Sequence, residues 1–437
     1  MQTTAENKRN SPNTSCSITT RLDRLFSRSW LYGVFALICI RPRALLDVDQ
    51  LLASALHLTA FPLFEIATYA IFALVLLCYL LRWSAGAIRK FNPTLLCITG
   101  MFLFLALITF VFKGASGYHM DWHAGFALML MIDMGLQRER KSLICALTGA
   151  LEIWVYLNII SFIAFPHSFT PDESVKEWLL GNHVFYYRTV FPALALALVR
   201  YHLLGKRYKL RTVLLILACI LTVLRQRGGT ALVGAAAFGA LLLWCSRRAL
   251  PRYITPLVCV TFAAIAFIGI QYFDLLNLFA GLITKGLGKT MTLTKRTIIW
   301  DNMMAIVFNN PITGVGYFPV AYMSELNGWH VAHTHNQLLE ILLHGGVIAL
   351  ALYLLAVFYA SREALRYRRS PLVKTVTLLL CTFAVMGIAE IFHNDPIYYA
   401  LFIFLSRSDC LVKDVKQLPR ISVFTRIKRD LNKAKKA

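Results

Sequence analysis

Charge is what this sequence has least of. Asp, Glu, Lys and Arg together make up 15% of its 437 residues, whereas a soluble domain carries about a quarter. Acidic residues are scarcer still, 22 against 45 basic ones, which leaves a formal net charge of +23. There is no Walker A motif, G-x-S-x-G elbow, H-E-x-x-H pair or dinucleotide fingerprint, so no signature points to a bound nucleotide or a hydrolase serine. No C-x-x-C pair occurs. Eight of the ten cysteines lie in or beside apolar runs, and Cys16 and Cys410 fall in the basic tails. That pattern describes small buried hydrophobes and no disulfide framework. Internal repeats and long low-complexity linkers are absent, and residues 1–29 have no apolar core that would make a cleavable signal peptide.

What is abundant is apolar surface. The chain is 58% hydrophobic with a mean hydropathy of +0.60, gathered in runs near the length that crosses a bilayer. These features predict an all-α polytopic membrane protein of ~12 transmembrane helices. The basic residues sit in short loops and both tails, which puts the N and C termini in the cytoplasm and argues against nucleic acid as the reason for the charge. The expected organisation is a basic tail over 1–29, spans one to nine over 30–273 and a single large outward loop over 274–336. Spans ten to twelve follow over 337–412, then a second basic tail over 413–437. The segment 274–336 is too polar to cross and too long for a simple turn.

Exceptions to the positive-inside pattern mark candidate chemistry. Arg225 and Arg227 stand together in a tight outward turn, followed by Gly228 and Gly229. They either snorkel to lipid headgroups or form a phosphate clamp, with the glycines admitting a ligand close to the backbone. In the long loop, Lys285, Lys289, Lys295 and Arg296 precede an amphipathic helical pattern, TKRTIIWDNMMAIVF, with Arg296 near its start. A Gly/Pro-rich turn, NNPITGVGYFP, follows. The stretch WHVAHTHNQLLEILLHGGVIAL then runs from polar chain directly into an apolar helix. Thr334 and Gln337 have capping-box spacing, which predicts His335 and Asn336 in the first helical turn and His335 as a neutral proton acceptor. His330, His333 and His335 lack a partnering carboxylate or cysteine at ligand spacing, so no metal is expected. His344 is expected to face a helix neighbour, and Gly345 with Ala349 to form a small-residue packing strip. His119, Asp121 and His123 form an outward cluster that is either ordinary loop or a sugar or cation contact. Glu65, Asp133, Glu152 and Glu390 lie in or near spans and keep a transporter with a proton pathway open as a second class.

Together these motifs resemble the bacterial O-antigen ligase and polymerase superfamily, most closely the O-antigen ligases of lipopolysaccharide assembly. The carrying residues are His335-Asn336, then Gly346, with Ala349 where glycine is more usual, and His333 completing an H-x-H-N form. Arg227 in RQRGGT and Arg296 in KRTIIW match the family's two arginine contexts. The resemblance implies a fold like that of other multi-span (GT-C-like) glycosyltransferases and an inverting, metal-independent transfer with no cofactor. The donor would be a glycan on undecaprenyl diphosphate. The acceptor would be a sugar hydroxyl of lipid A–core oligosaccharide, on the periplasmic face of the inner membrane. His335, Arg227 and Arg296 would be catalytic, with Arg225, Asn336, His333 and Lys295 binding substrate. An O-antigen polymerase, a protein O-oligosaccharyltransferase and a lipid-linked oligosaccharide flippase are the alternatives.

Overall fold

A computed structural model describes residues 29–42, 44–45, 63–86, 88, 91–113, 122–169, 176–246, 248–273, 275, 281, 285, 295–317, 320–393 and 395–413. Both basic tails beyond Ser29 and Lys413, most of 274–294 with Lys289, and His119 and Asp121 lie outside the described residues. Among those described, the chain is helical and contains no strand.

The helices, in chain order, are α1 (Ser29–Cys39), α2 (Leu63–Ser84), α3 (Pro93–Lys113), α4 (Trp122–Arg138) and α5 (Arg140–Ala164). Next come α6 (Tyr187–Leu204), α7 (Lys209–Gln226), α8 (Gly229–Cys245), α9 (Pro256–Tyr272) and α10 (Arg296–Asn309). The last are α11 (Val320–Asn327), α12 (Gln337–Arg366), α13 (Pro371–Met386), α14 (Pro396–Ser406) and α15 (Ser408–Val412). Four segments, Phe64–Ser84, Pro93–Val111, Arg140–Ala164 and Gln337–Arg366, are long and apolar enough to cross a membrane, and α1, α8, α9, α13 and α14 carry shorter apolar helices. This architecture is compatible with a polytopic membrane protein. Large apolar side chains stay exposed along α3 (Leu96, Leu103, Leu107) and α7 (Leu210, Leu217, Leu221), as expected of faces solvated by lipid.

The predicted tenth span is not one continuous helix. Gly346 breaks α12 with φ 57° and ψ −159°, and a Cβ there would meet Ile312 O at 2.3 Å. The Gly/Pro-rich turn explains the break. Its residues 311–316 lie against the kink and take over the freed backbone groups: Val347 N–H donates to Pro311 O, Val315 N–H to Leu343 O and Gly316 N–H to His344 O. A positive φ suits glycine, and the borrowed hydrogen bonds keep the kink satisfied. Gly345 packs as expected, since an added Cβ would meet Leu105 Cδ2 of α3 at 2.5 Å.

Two of the acids near the spans, Asp133 and Glu152, are paired. Asp133 accepts from Arg407 Nε at 2.6 Å and Nη2 at 3.0 Å, and also from Asn92 at 2.8 Å. Glu152, 1% exposed, binds Arg200 at 2.5 Å and Arg211 at 2.5 Å. Both clusters join distant helices, which favours a structural reading of these two acids. Glu152→Ala would leave Arg200 buried without a counter-charge, a loss of about 3–5 kcal/mol. We expect a clear drop in the detergent thermal midpoint. An unchanged midpoint would mean that the pair contributes nothing.

Candidate active site

The histidine segment is held from three sides. Asn336 is the N-cap of α12 and accepts from Leu338 N–H at 3.0 Å and Leu339 N–H at 2.9 Å. Thr334 is therefore not the cap, and the expected Thr334–Gln337 capping box does not form. Asn336 wins because its carboxamide reaches two orphan N–H groups at once. Thr334 instead exchanges hydrogen bonds with the Asn336 backbone, its hydroxyl donating to Asn336 O and accepting from Asn336 N–H. The Gln337 carboxamide accepts from Phe392 N–H at 2.6 Å. Asn336 is 1% exposed, and its amide donates to Ile388 O at 3.0 Å, so the side chain is occupied in fixing the helix start. His335 lies just before the cap, outside the first helical turn, in the left-handed region at φ 56°.

Helix α10 ties Arg296 to this segment. Trp300, fully buried, donates its indole N–H to Thr334 O at 2.9 Å. Glu340 closes the other side by accepting from Thr334 N–H at 2.9 Å. An arginine four residues ahead of a tryptophan thus becomes one rigid unit, the aromatic anchoring in a small core with Phe267, Met303 and Leu339 and the arginine projecting from the first turn.

Glu390 is where these parts meet. It sits in the loop between α13 and α14, and the Asn336 and Gln337 contacts to Ile388 and Phe392 hold that loop against the start of α12. Its carboxylate accepts from Arg296 Nη2 at 2.8 Å and from the Thr230 hydroxyl at 3.3 Å. His335 Nδ1 is 3.9 Å from its other oxygen, within electrostatic reach but too long for a hydrogen bond. Burial pushes the Glu390 carboxyl up, but His335 together with the Arg296 and Arg188 charges outweighs burial and holds it at about 2. It is ionised at neutral pH. His333 receives the His335 backbone N–H on Nδ1 at 3.2 Å. Burial, with the adjacent His335 and Arg188, drives its imidazole well below the usual histidine range.

A cavity of about 240 Å³ opens beside this group. One end is polar, lined by Arg296, Glu390 and the Gly228–Gly229–Thr230 start of α8, and the other is apolar, with Val233, Ala237 and Met386 among its lining residues. No side chain caps α8, and its first residues, with the positive end of the helix dipole, border the cavity. Gly228 is required for a reason internal to the protein: a Cβ there would meet His183 O at 2.4 Å. His335 does not line this cavity and reaches it through Glu390.

The remaining candidates fall elsewhere. Arg227, left-handed at φ 46°, lines a second cavity of about 510 Å³ with Arg225, Lys176 and His183. The two cavities share His183. Arg225 donates to Pro166 O at 2.6 Å and lies 5.2 Å from the Trp178 ring centre. Lys295 precedes α10 at φ 68°, its ammonium 4.6 Å from the Trp329 ring centre. His123 stacks on Tyr69 at 3.9 Å and bonds Thr68 at 2.5 Å, and His344 stands edge-on to Tyr317 at 4.3 Å. Two members of the Glu390 group are not among the candidate site residues read from sequence. Arg188 is a cation at the expected outer end of a span, like Arg225 and Arg227, and sequence assigns Glu390 itself only to a proton pathway.

No curated protein and no solved structure matches this chain. Residues 212–354, about a third of the chain, match the family model described as O-antigen ligase. That segment holds Arg225, Arg227, Arg296, His333, His335 and Asn336, while Glu390 lies beyond it. Over that segment the match supports the resemblance to the O-antigen ligase/polymerase superfamily.

Proposed function

We propose that this protein is an O-antigen ligase, transferring a glycan from undecaprenyl diphosphate to a hydroxyl of lipid A–core oligosaccharide on the periplasmic face of the inner membrane. The observation that carries the reading is the two-ended cavity. Its polar end, with Arg296 and the start of α8, suits a diphosphate, and its apolar end suits the first units of a polyprenyl chain. Transfer then needs two things. A proton must leave the acceptor hydroxyl as its oxygen bonds to the anomeric carbon, and the lipid diphosphate must depart with the electrons of the broken C–O bond. Arg296 and the α8 dipole stabilise the departing charge. Arg227, one residue before the glycine pair, adds positive charge at the same helix end. His335 takes the proton. Glu390, facing Nδ1, favours the tautomer with Nδ1 protonated and leaves Nε2 as the acceptor, the base-and-orienter arrangement of acyl-transfer enzymes. Attack opposite the leaving group inverts the anomeric centre, and no metal takes part in these steps.

The test is reconstitution of purified protein with lipid-linked glycan and rough lipopolysaccharide, without nucleotide and with a divalent-metal chelator. Glycan-bearing lipopolysaccharide is expected, and its absence under conditions that keep the protein folded would refute the assignment. In cells, a ligase mutant leaves full lipid-linked polymer beside bare core. Core carrying one repeat unit would instead identify a polymerase.

A further inference from the structure

The second cavity has an electrostatic character unlike the first. Lys176, Arg225 and Arg227 line it together with His183, and among the described residues no acidic side chain does. Among the described residues, the Arg227 side chain has a single polar contact, a 3.4 Å bond from Nε to Leu224 O, so both its Nη groups are unpartnered there. Lys176 is exposed and without a partner there. Glu177 makes no ion pair with it among the described residues and accepts from Asn182 at 3.0 Å. Arg225 is fixed by Pro166 O and Trp178, so its charge stands in place before any ligand arrives. Gln226 also lines the cavity, donates to Gly181 O at 2.8 Å and leaves its carbonyl oxygen buried without a protein donor.

Exposed cations are usually solvated or reach for headgroups. Here three of them border one concavity, an arrangement that attracts an anion. The wall carrying Lys176 is also built: Trp178 donates its indole N–H to Phe165 O at 2.9 Å, and Phe169 N–H donates to Glu177 O at 2.9 Å.

We infer that this cavity docks an anionic group, phosphate or carboxylate, carried by the acceptor glycan, and so aligns the acceptor hydroxyl beside the donor cavity across the shared His183. Arginine forks and a lysine point charge are the donors that such oxygens select, and glycan hydroxyls supply the donor that Gln226 lacks. The inference rests on the transferase reading for the identity of the ligand.

The experiment uses full-length protein in phosphatidylcholine nanodiscs, with Lys176→Ala and Lys176→Arg variants. Acceptor binding is measured by thermophoresis and transfer by product formation. Three acceptors are compared: native rough lipopolysaccharide, the same material dephosphorylated with hydrogen fluoride, and a carboxyl-reduced form. Lys176→Ala is expected to weaken binding of native acceptor, and raise its KM, by about tenfold. The KM for donor should not move, and Lys176→Arg should recover most of the loss. Removing whichever acceptor group docks there should weaken wild type equally and abolish the difference between wild type and Lys176→Ala. The inference is overturned if Lys176→Ala binds native acceptor like wild type, if the donor KM moves instead, or if phosphatidylglycerol nanodiscs abolish the Lys176-dependent acceptor binding, which would make this a headgroup site. Transfer without Lys176 dependence removes this cavity's role and leaves the transferase reading intact. Lys176-dependent binding of native acceptor without any transfer does the reverse.

Discussion

Replacing His335 is expected to abolish transfer while leaving the protein folded. General-base catalysis by a positioned histidine contributes about 100- to 10,000-fold, so the residual rate should fall at or below the detection limit of a gel-based assay. The choice of variant matters, because His335 sits at φ 56°. Alanine disfavours the left-handed region by roughly 1–2 kcal/mol, and His335→Ala therefore mixes strain with lost chemistry. Asparagine tolerates that backbone and cannot act as a base near neutral pH. His335→Asn should insert, purify as a single species and keep its thermal midpoint while losing product. Product within about threefold of wild type from His335→Asn would remove the base from the mechanism.

Arg296→Ala should have the second-largest effect, and for two separable reasons. Removing a preorganised donor aimed at developing negative charge costs about 100- to 1,000-fold in rate. It also strips Glu390, 1% exposed, of its 2.8 Å counter-charge, so the single variant should lose stability as well as activity. Arg296→Ala/Glu390→Ala should recover much of the thermal midpoint and none of the activity. Arg296→Lys keeps the charge but not the planar fork, and is expected to recover little of the rate. Recovery of transfer by the double variant would mean that Arg296 serves to hold the fold and contributes nothing to the leaving group.

Composition and periodicity alone made the helical membrane character readable, because burying a backbone in lipid leaves few options other than helices. Local chemistry was readable too. The Gly/Pro-rich turn, the small residues at Gly345 and Ala349, and Arg296 just ahead of an aromatic are properties of a few consecutive residues. The cap was misread because Thr334 and Asn336 both have capping chemistry, and spacing cannot say which peptide group turns first. The Gly346 break was invisible for a related reason. Glycine within an apolar run is also compatible with an unbroken helix, and only the 311–316 turn packing against it makes the kinked form the satisfied one.

Pairings across large sequence separations lay beyond any local pattern. Whether Glu390 carries protons or orients a base depends on Arg296 and His335 being beside it, which in turn depends on loop 387–392 hydrogen-bonding to the head of α12. The same holds for the two arginines singled out early. Matched together as the family's two arginine contexts, Arg227 and Arg296 line separate cavities once folded. Residue order dictated the medium this chain lives in and the kinds of side chain its chemistry uses, since both follow from near-neighbour hydrophobicity and backbone propensity. Which carboxylate faces which cation, and which cation faces which cavity, was decided by helix packing, because those energies depend on distances that sequence separation does not encode.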